Sequence, residues 1–194
     1  MANEPSKRQK IYFVTGSANK FNEAKEIFTN EHYELVQYNL DLPEYQGDSE
    51  EIAHKKCLEA ETLLPENIYP FFIEDTGLHY NCLNGLPGPY IKWFLKDIGL
   101  DGLVKLTEPY TDKTAYAKCI ITLKMNIKTK PLSFVGKIDG KIVNTRGRNN
   151  FGWDPIFEVG DQTFAEMDKD KKNNVSHRCI ALKMLEEHIN KNHK

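Results

Sequence analysis

At 194 residues, with 40% hydrophobic and 11% aromatic content, the chain can bury a core as one large domain or two small lobes. Its 26 basic and 28 acidic residues leave a net charge of −2, too balanced for the basic footprint of a nucleic-acid binder. No apolar run reaches membrane-spanning length, and polar Met1–Lys10 predicts no signal peptide.

Met1–Lys10 is expected to be a disordered leader, with residues 11–194 forming the domain. Ile11–Val14 is β-branched and aromatic, a first strand. It runs into Thr15-Gly16-Ser17-Ala18-Asn19-Lys20, after which Phe21, Ala24 and Phe28 recur at helical spacing to about Thr29. Strand, short Gly-containing loop and helix together present backbone N–H groups and a helix dipole to phosphate, and Lys20 adds a full charge. The spacing is not that of a Walker A loop, and taken alone the same residues serve as a helix cap.

Tyr33–Asn39 reads as a second strand, followed by the Pro- and Gly-bounded loop Asp41–Gly47. Ser49 caps a helix to about Leu64 whose buried face is Ala53, Cys57, Ala60 and Leu64. Lys55 and Lys56 project from other parts of that helix and, each taken alone, read as solvated lysines. After the connector Pro65–Pro70 comes Phe71-Phe72-Ile73-Glu74-Asp75-Thr76-Gly77. An apolar run that stops in two carboxylates predicts a buried strand, Phe71–Asp75, with its acids at the C-terminal end where open α/β sheets place ligands. Alternation sends Glu74 and Asp75 to opposite faces, one toward a site and one toward a partner. Mg²⁺ prefers such ligands, one or two carboxylates with waters and substrate phosphate.

Asn84–Pro89 is a rigid loop. Tyr90 to about Ile98 is a helix with Trp93 and Phe94 on an aromatic face, Gly99 stops it, and a second short helix lies near Gly102–Leu106. Thr114–Lys124 alternates as a long strand. Leu132–Asp139 and Lys141–Asn144 are expected to pair as a hairpin about Asp139-Gly140, giving an antiparallel lobe distinct from the αβ start. The polar loop Arg146–Asn150 precedes Phe151-Gly152-Trp153-Asp154-Pro155, a strand Ile156–Val159, a charged loop Asp168–Asn174, and Ser176-His177-Arg178 at the head of a last helix to about Asn190. Cys57, Cys82, Cys119 and Cys179 form no Cys-x-x-Cys pair, which predicts reduced, buried thiols in a cytoplasmic protein.

Four features suit one ligand. The first loop and Lys20 address phosphates. Glu44 and the Glu74-Asp75 pair offer hard oxygens to Mg²⁺. Phe151 and Trp153 offer a ring face to a purine, and Lys172, His177 and Arg178 offer donors. Together they point to a nucleoside triphosphate site with metal-assisted attack by water. One rival is a non-catalytic purine nucleotide sensor, which has less need of the acidic pair. Another is an RNA-binding module, disfavoured by the charge balance.

In order along the chain, Thr15–Lys20, Asp41–Gly47, Glu74–Gly77, Gly85-Leu86-Pro87-Gly88-Pro89-Tyr90-Ile91-Lys92-Trp93-Phe94, Phe151–Pro155 and Ser176–Arg178 resemble the motifs of the inosine triphosphate pyrophosphatase family, in its eukaryotic branch. The resemblance spans about Ile11 to Leu185. It implies an elongated α/β fold with a mixed central β-sheet flanked by helices, two lobes around a cleft, and a cytosolic homodimer. The implied reaction converts ITP, dITP or XTP and water to the monophosphate and pyrophosphate. By motif match, Thr15, Gly16, Ser17, Ala18, Asn19, Lys20, Lys56 and Thr76 hold phosphates and sugar, and Lys92 reaches the ligand. Glu44 and Asp75 bind Mg²⁺, with Mn²⁺ as an alternative, and serve catalysis. Phe151, Gly152, Trp153, Asp154, Lys172, His177 and Arg178 surround the base. Ser17 departs from the family's usual Asn.

Overall fold

The computed structural model of the chain describes residues 8–148 and 151–192. Residues 1–7 of the expected leader, and Asn149 and Asn150 of the polar loop, lie outside the described residues. Gln9 and Lys10, assigned to the leader from sequence, already belong to the first strand.

The elements run β1 (Gln9–Val14), α1 (Ala18–Ile27), β2 (Tyr33–Tyr38), α2 (Ser49–Leu63), β3 (Phe71–Tyr80), β4 (Pro87–Gly88), α3 (Ile91–Lys105), β5 (Thr114–Lys124), β6 (Leu132–Ile142), β7 (Phe157–Val159), β8 (Gln162–Thr163), α4 (Lys169–Val175) and α5 (His177–Asn192). One mixed sheet holds every described strand, in the order β2-β1-β3-β5-β6-β7-β8 with β4 paired to β3. β1 is parallel to β2 and β3; the other pairings are antiparallel. Alternation along β1 and β3 gives the sheet two apolar faces. Ile11, Phe13 and Phe72 pack under α1 and α5 with Ala24, Leu182 and Leu185, and the Phe13 and Phe72 rings stack at 4.7 Å. Val14, Phe71 and Ile73 pack under α2 with Ala53, Cys57 and Ala60. A third core joins α3 to the far end of the sheet through Leu78, Tyr80, Leu103, Trp153, Phe157 and Phe164. Each large side chain fully buried contributes about 1.5–3 kcal/mol.

Several sequence expectations change. β3 does not end at Asp75 but runs on to Tyr80, because β5 pairs with it from Phe71↔Lys124 to Tyr80↔Ala115. Glu74 and Asp75 are therefore mid-strand. Asp139-Gly140 is no hairpin turn; β6 continues through it beside Tyr116 and Ala115. Gly140 is small for a packing reason, since a Cβ there would lie 2.3 Å from Glu158 O and 2.7 Å from the Phe157 ring. The antiparallel strands form no separate sheet, being continuous with β1 through β3. Asp168–Asn174 is largely the helix α4, with Asp168 accepting from Lys171 N at 2.7 Å as its cap. The break at Gly99 stands, with φ 65° inside α3. Among the cysteines Cys82 is only half-buried; the other three are buried.

Gly136 of β6 decides where α5 sits. A Cβ at this position would stand 1.9 Å from His177 O and 2.6 Å from Ala181 N. The missing side chain lets the first turn of α5, which carries His177 and Arg178, seat directly on the sheet.

Candidate active site

β1 stops at Val14 while β3 continues and meets β4 only at Leu78. Between these points one edge of β3, Ile73–Gly77, pairs only with β5 on its other side among the described strands. A cleft of about 630 Å³ opens at that gap. Its walls are the β1–α1 loop, the segment after β2, Lys56 of α2, the middle of β3, the start of α3, the loop before β7, Lys172 of α4 and the head of α5.

The cleft gathers Thr15, Gly16, Ser17, Lys20, Glu44, Lys56, Thr76, Lys92, Phe151, Gly152, Trp153, Asp154, Lys172, His177 and Arg178. Ala18 and Asn19 do not line it. The helix starts at Ala18 rather than Phe21, so both residues occupy its exposed first turn. Ser17 is the N-cap, its hydroxyl accepting from Lys20 N at 3.3 Å while its own N–H donates to Thr15 Oγ1 at 3.1 Å. Asp75 is not a lining residue either; Lys56, which is, holds its Oδ1 at 2.8 Å.

Glu74 and Asp75 do take opposite faces. Asp75 turns toward α2, where Lys56 Nζ donates to its Oδ1 at 2.8 Å and to Glu44 Oε2 at 2.5 Å. Lys92 Nζ donates to the other Glu44 oxygen at 2.7 Å. Lys56, read alone as a solvated lysine, is 9% exposed. Burial works against charge in Glu44, but hydrogen bonds from Lys56 and Lys92 hold its carboxyl below the ordinary value. Two carboxylates thus converge on one cation, the Lys56 ammonium, which marks a position that a divalent ion would fit. No group of three or more metal-ligating side chains occurs among the described residues, so such an ion would lean on phosphate and water for its other ligands.

Glu74 turns toward α1 and α5. Its side chain is 1% exposed and bonded from three sides: Arg178 Nε at 2.7 Å, Arg178 Nη2 at 2.9 Å and Lys20 Nζ at 3.1 Å, with Thr76 Oγ1 donating at 2.7 Å. Burial alone would raise this carboxyl; Arg178 and Lys20 hold it well below the carboxylate range. Arg178 Nη1 donates to Glu23, and Lys172 Nζ donates to Glu23 Oε1 at 2.7 Å and to Asp154. An alternating chain results, Lys20–Glu74–Arg178–Glu23–Lys172–Asp154. Glu166 takes no part in this chain and pairs with Arg146 at 3.2 Å. Glu23 was not singled out from sequence. Its only signal is its place three residues after Lys20, on the same side of α1.

At the other end, Lys172 Nζ sits 4.9 Å from the Phe151 ring centre and Arg178 Cζ 5.9 Å from it. Trp153 is buried against Phe157 at 5.5 Å and His177 at 5.4 Å, so the less buried Phe151 is the better placed ring for stacking. His177 stacks on Phe164 at 5.9 Å with neither ring nitrogen hydrogen-bonded among the described residues.

Burial, then the Arg178 charge, pushes the His177 pKa well below 6.5, and burial with Lys118 lowers His79 to about 4. An unfolded histidine binds a proton near pH 6.5 that these rings refuse. Their contribution to stability is complete above pH 6.5 and is lost as pH falls below it. Asp154, raised by burial to about 6, titrates in the same window with the opposite sign. His79→Gln is therefore expected to remove about one proton from the pH dependence of urea unfolding between pH 7 and 5. An unchanged slope would mean that His79 protonates freely in the fold.

Among known proteins, the model of the Ham1 family matches residues 11–188. Inosine triphosphate pyrophosphatase of Ajellomyces capsulatus is 47% identical over 177 residues, 91% of this chain and 94% of that protein. The solved HAM1 protein from Coxiella burnetii is 27% identical with a TM-score of 0.81, over 94% of this chain and 99% of its own. A structure from Mycobacterium abscessus titled nucleoside-triphosphatase / dITP/XTP pyrophosphatase is 25% identical with a TM-score of 0.68, over 91% and 98%.

Proposed function

The chain belongs to the Ham1 family, and from that premise we infer that its cleft hydrolyses non-standard purine nucleoside triphosphates (ITP, dITP and XTP) to the monophosphate and pyrophosphate, clearing them from the nucleotide pool. The observation that carries this reading is the Glu74 carboxylate, which ties Lys20 at the helix-capping loop to Arg178 at the aromatic end. A polyphosphate site and a base site are thereby set in one cleft at a fixed offset.

The backbone N–H groups of the Thr15–Lys20 loop, with Lys20, Lys56, Lys92 and Thr76, receive the phosphates and sugar. Phe151 stacks on the base without discriminating between purines. The neutral His177 ring donates from one nitrogen, and Arg178 keeps two N–H groups beyond the three committed to Glu74 and Glu23. Both suit the 6-oxygen of hypoxanthine or xanthine. The 6-amino group of adenine would meet donor with donor. Gly152, Asp154 and Lys172 complete the surroundings of the base.

Charge supports a metal requirement. Five cationic side chains (Lys20, Lys56, Lys92, Lys172 and Arg178) and four carboxylates (Asp41, Glu44, Glu74 and Asp154) line the cleft. Asp75 and Glu23, paired to these from behind, bring the carboxylates to six. Such a cleft has no positive charge to spare for a triphosphate carrying about four negative charges. Glu44 and Asp75 would hold Mg²⁺, or Mn²⁺ in its place; when bound, the ion neutralises phosphate charge and polarises a phosphoryl oxygen. Asp75 or a neighbouring carboxylate orients the attacking water.

Incubation with ITP and Mg²⁺, with the products resolved, tests the reading. IMP and pyrophosphate are expected, whereas IDP and phosphate would make the protein an ordinary phosphatase. Four unpaired cysteines support a reducing, cytoplasmic compartment, and no described helix is long and apolar enough to cross a membrane. We also propose that the protein is a homodimer, which light scattering measures directly.

A further inference from the structure

Lys56 stands where the two proposed metal carboxylates converge. Its ammonium lies 2.5 Å from Glu44 Oε2 and 2.8 Å from Asp75 Oδ1. Asp75 is 8% exposed and absent from the cleft lining, whereas Lys56 belongs to it. Lys56 thus joins Asp75 to the cleft lining. A divalent ion on these oxygens would need the same space, with contacts near 2.0–2.1 Å for Mg²⁺, and two cations at one carboxylate pair repel.

Lys92 sits on the remaining oxygen of Glu44, so both oxygens of that carboxylate already face a cation. The lysine stem is flexible and its head is a compact point charge. It can leave the pair by a change of rotamer, toward a cleft that an incoming triphosphate would fill with negative charge.

We infer that Lys56 is an exchangeable counter-ion. It offsets part of the charge of Glu44 and Asp75, yields them to a divalent ion, and carries its own charge to the triphosphate in the same event. This rests on the metal reading given above and adds a consequence that a fixed phosphate-binding lysine lacks. Lys56 should oppose metal binding in the absence of nucleotide and favour substrate binding in its presence.

Mn²⁺ titration followed by electron paramagnetic resonance, without nucleotide, tests this on the full chain. Lys56→Met is expected to bind Mn²⁺ at least about tenfold more tightly than the unaltered protein, since the pair loses its competing cation, while KM for ITP rises. Lys56→Arg, which keeps the charge, is expected to bind Mn²⁺ as weakly as the unaltered protein. A general loss of structure would weaken both ligands, so the opposite signs separate exchange from damage. If Lys56→Met does not fold, Lys56→Gln is measured in the same way. Equal or weaker nucleotide-free Mn²⁺ affinity in the folded neutral variant overturns the exchange alone, provided that the unaltered protein takes up Mn²⁺ with an α,β-imido analogue of ITP. Failure to take up Mn²⁺ even then, beyond what the analogue itself holds, overturns the metal reading and the exchange with it.

Discussion

Asp75→Asn is expected to lower kcat for ITP by about a hundredfold or more, with little change in the fold. The amide keeps the size of the carboxylate and can still accept from Lys56, which retains Glu44 at 2.5 Å. What it removes is one negative charge from the two carboxylates, Glu44 and Asp75, that converge on Lys56. If Asp75 holds the metal or orients the attacking water, its charge counts most in the transition state, so kcat should fall more than KM rises. Circular dichroism and the thermal midpoint check that the fold persists. Near-normal kcat at saturating Mg²⁺ would remove Asp75 from the catalytic assignment and leave its pair with Lys56 as structure.

Arg178→Ala is expected to act on stability and on base selection together. Arg178 is 2% exposed and pairs with both Glu74 and Glu23. Its loss leaves two carboxylates without their main partner in a buried setting, at a cost of about 3–5 kcal/mol. For a chain of this size that lowers Tm by roughly 6–20 °C. Lys20 and Lys172 still contact the two acids, at 3.1 Å and 2.7 Å, and keep the loss from being larger. In the protein that remains folded, kcat/KM for ITP should fall much more than for ATP if the uncommitted N–H groups of Arg178 serve the 6-oxygen and not the 6-amino group. Arg178→Lys should recover part of the stability but little of the preference, since one ammonium cannot replace a fork shared between two acids. Equal proportional losses on ITP and ATP would make Arg178 a residue of the fold or of the phosphates, and keto recognition would pass to His177 alone.

By itself the sequence determined what depends on near neighbours. Alternation placed Glu74 and Asp75 on opposite faces of β3. The polar loop after β1 announced a helix start, and Gly99 the break in α3. Six motifs in order showed the family. Only the tertiary structure decided which charges meet. Arg178 finds Glu74 at a separation of 104 residues and Glu23 at 155, and Lys172 finds Glu23 at 149. Periodicity reports the face of an element and says nothing about what packs on it, so Lys56 read as solvated and Glu23 carried no mark. The same limit explains Asp139-Gly140. The dipeptide has the chemistry of a tight turn, yet β5 on one side and the Phe157 ring and Glu158 backbone on the other hold it extended, and glycine is needed there for close approach. Local preference is worth about 1 kcal/mol; a strand paired along its whole length overrides it.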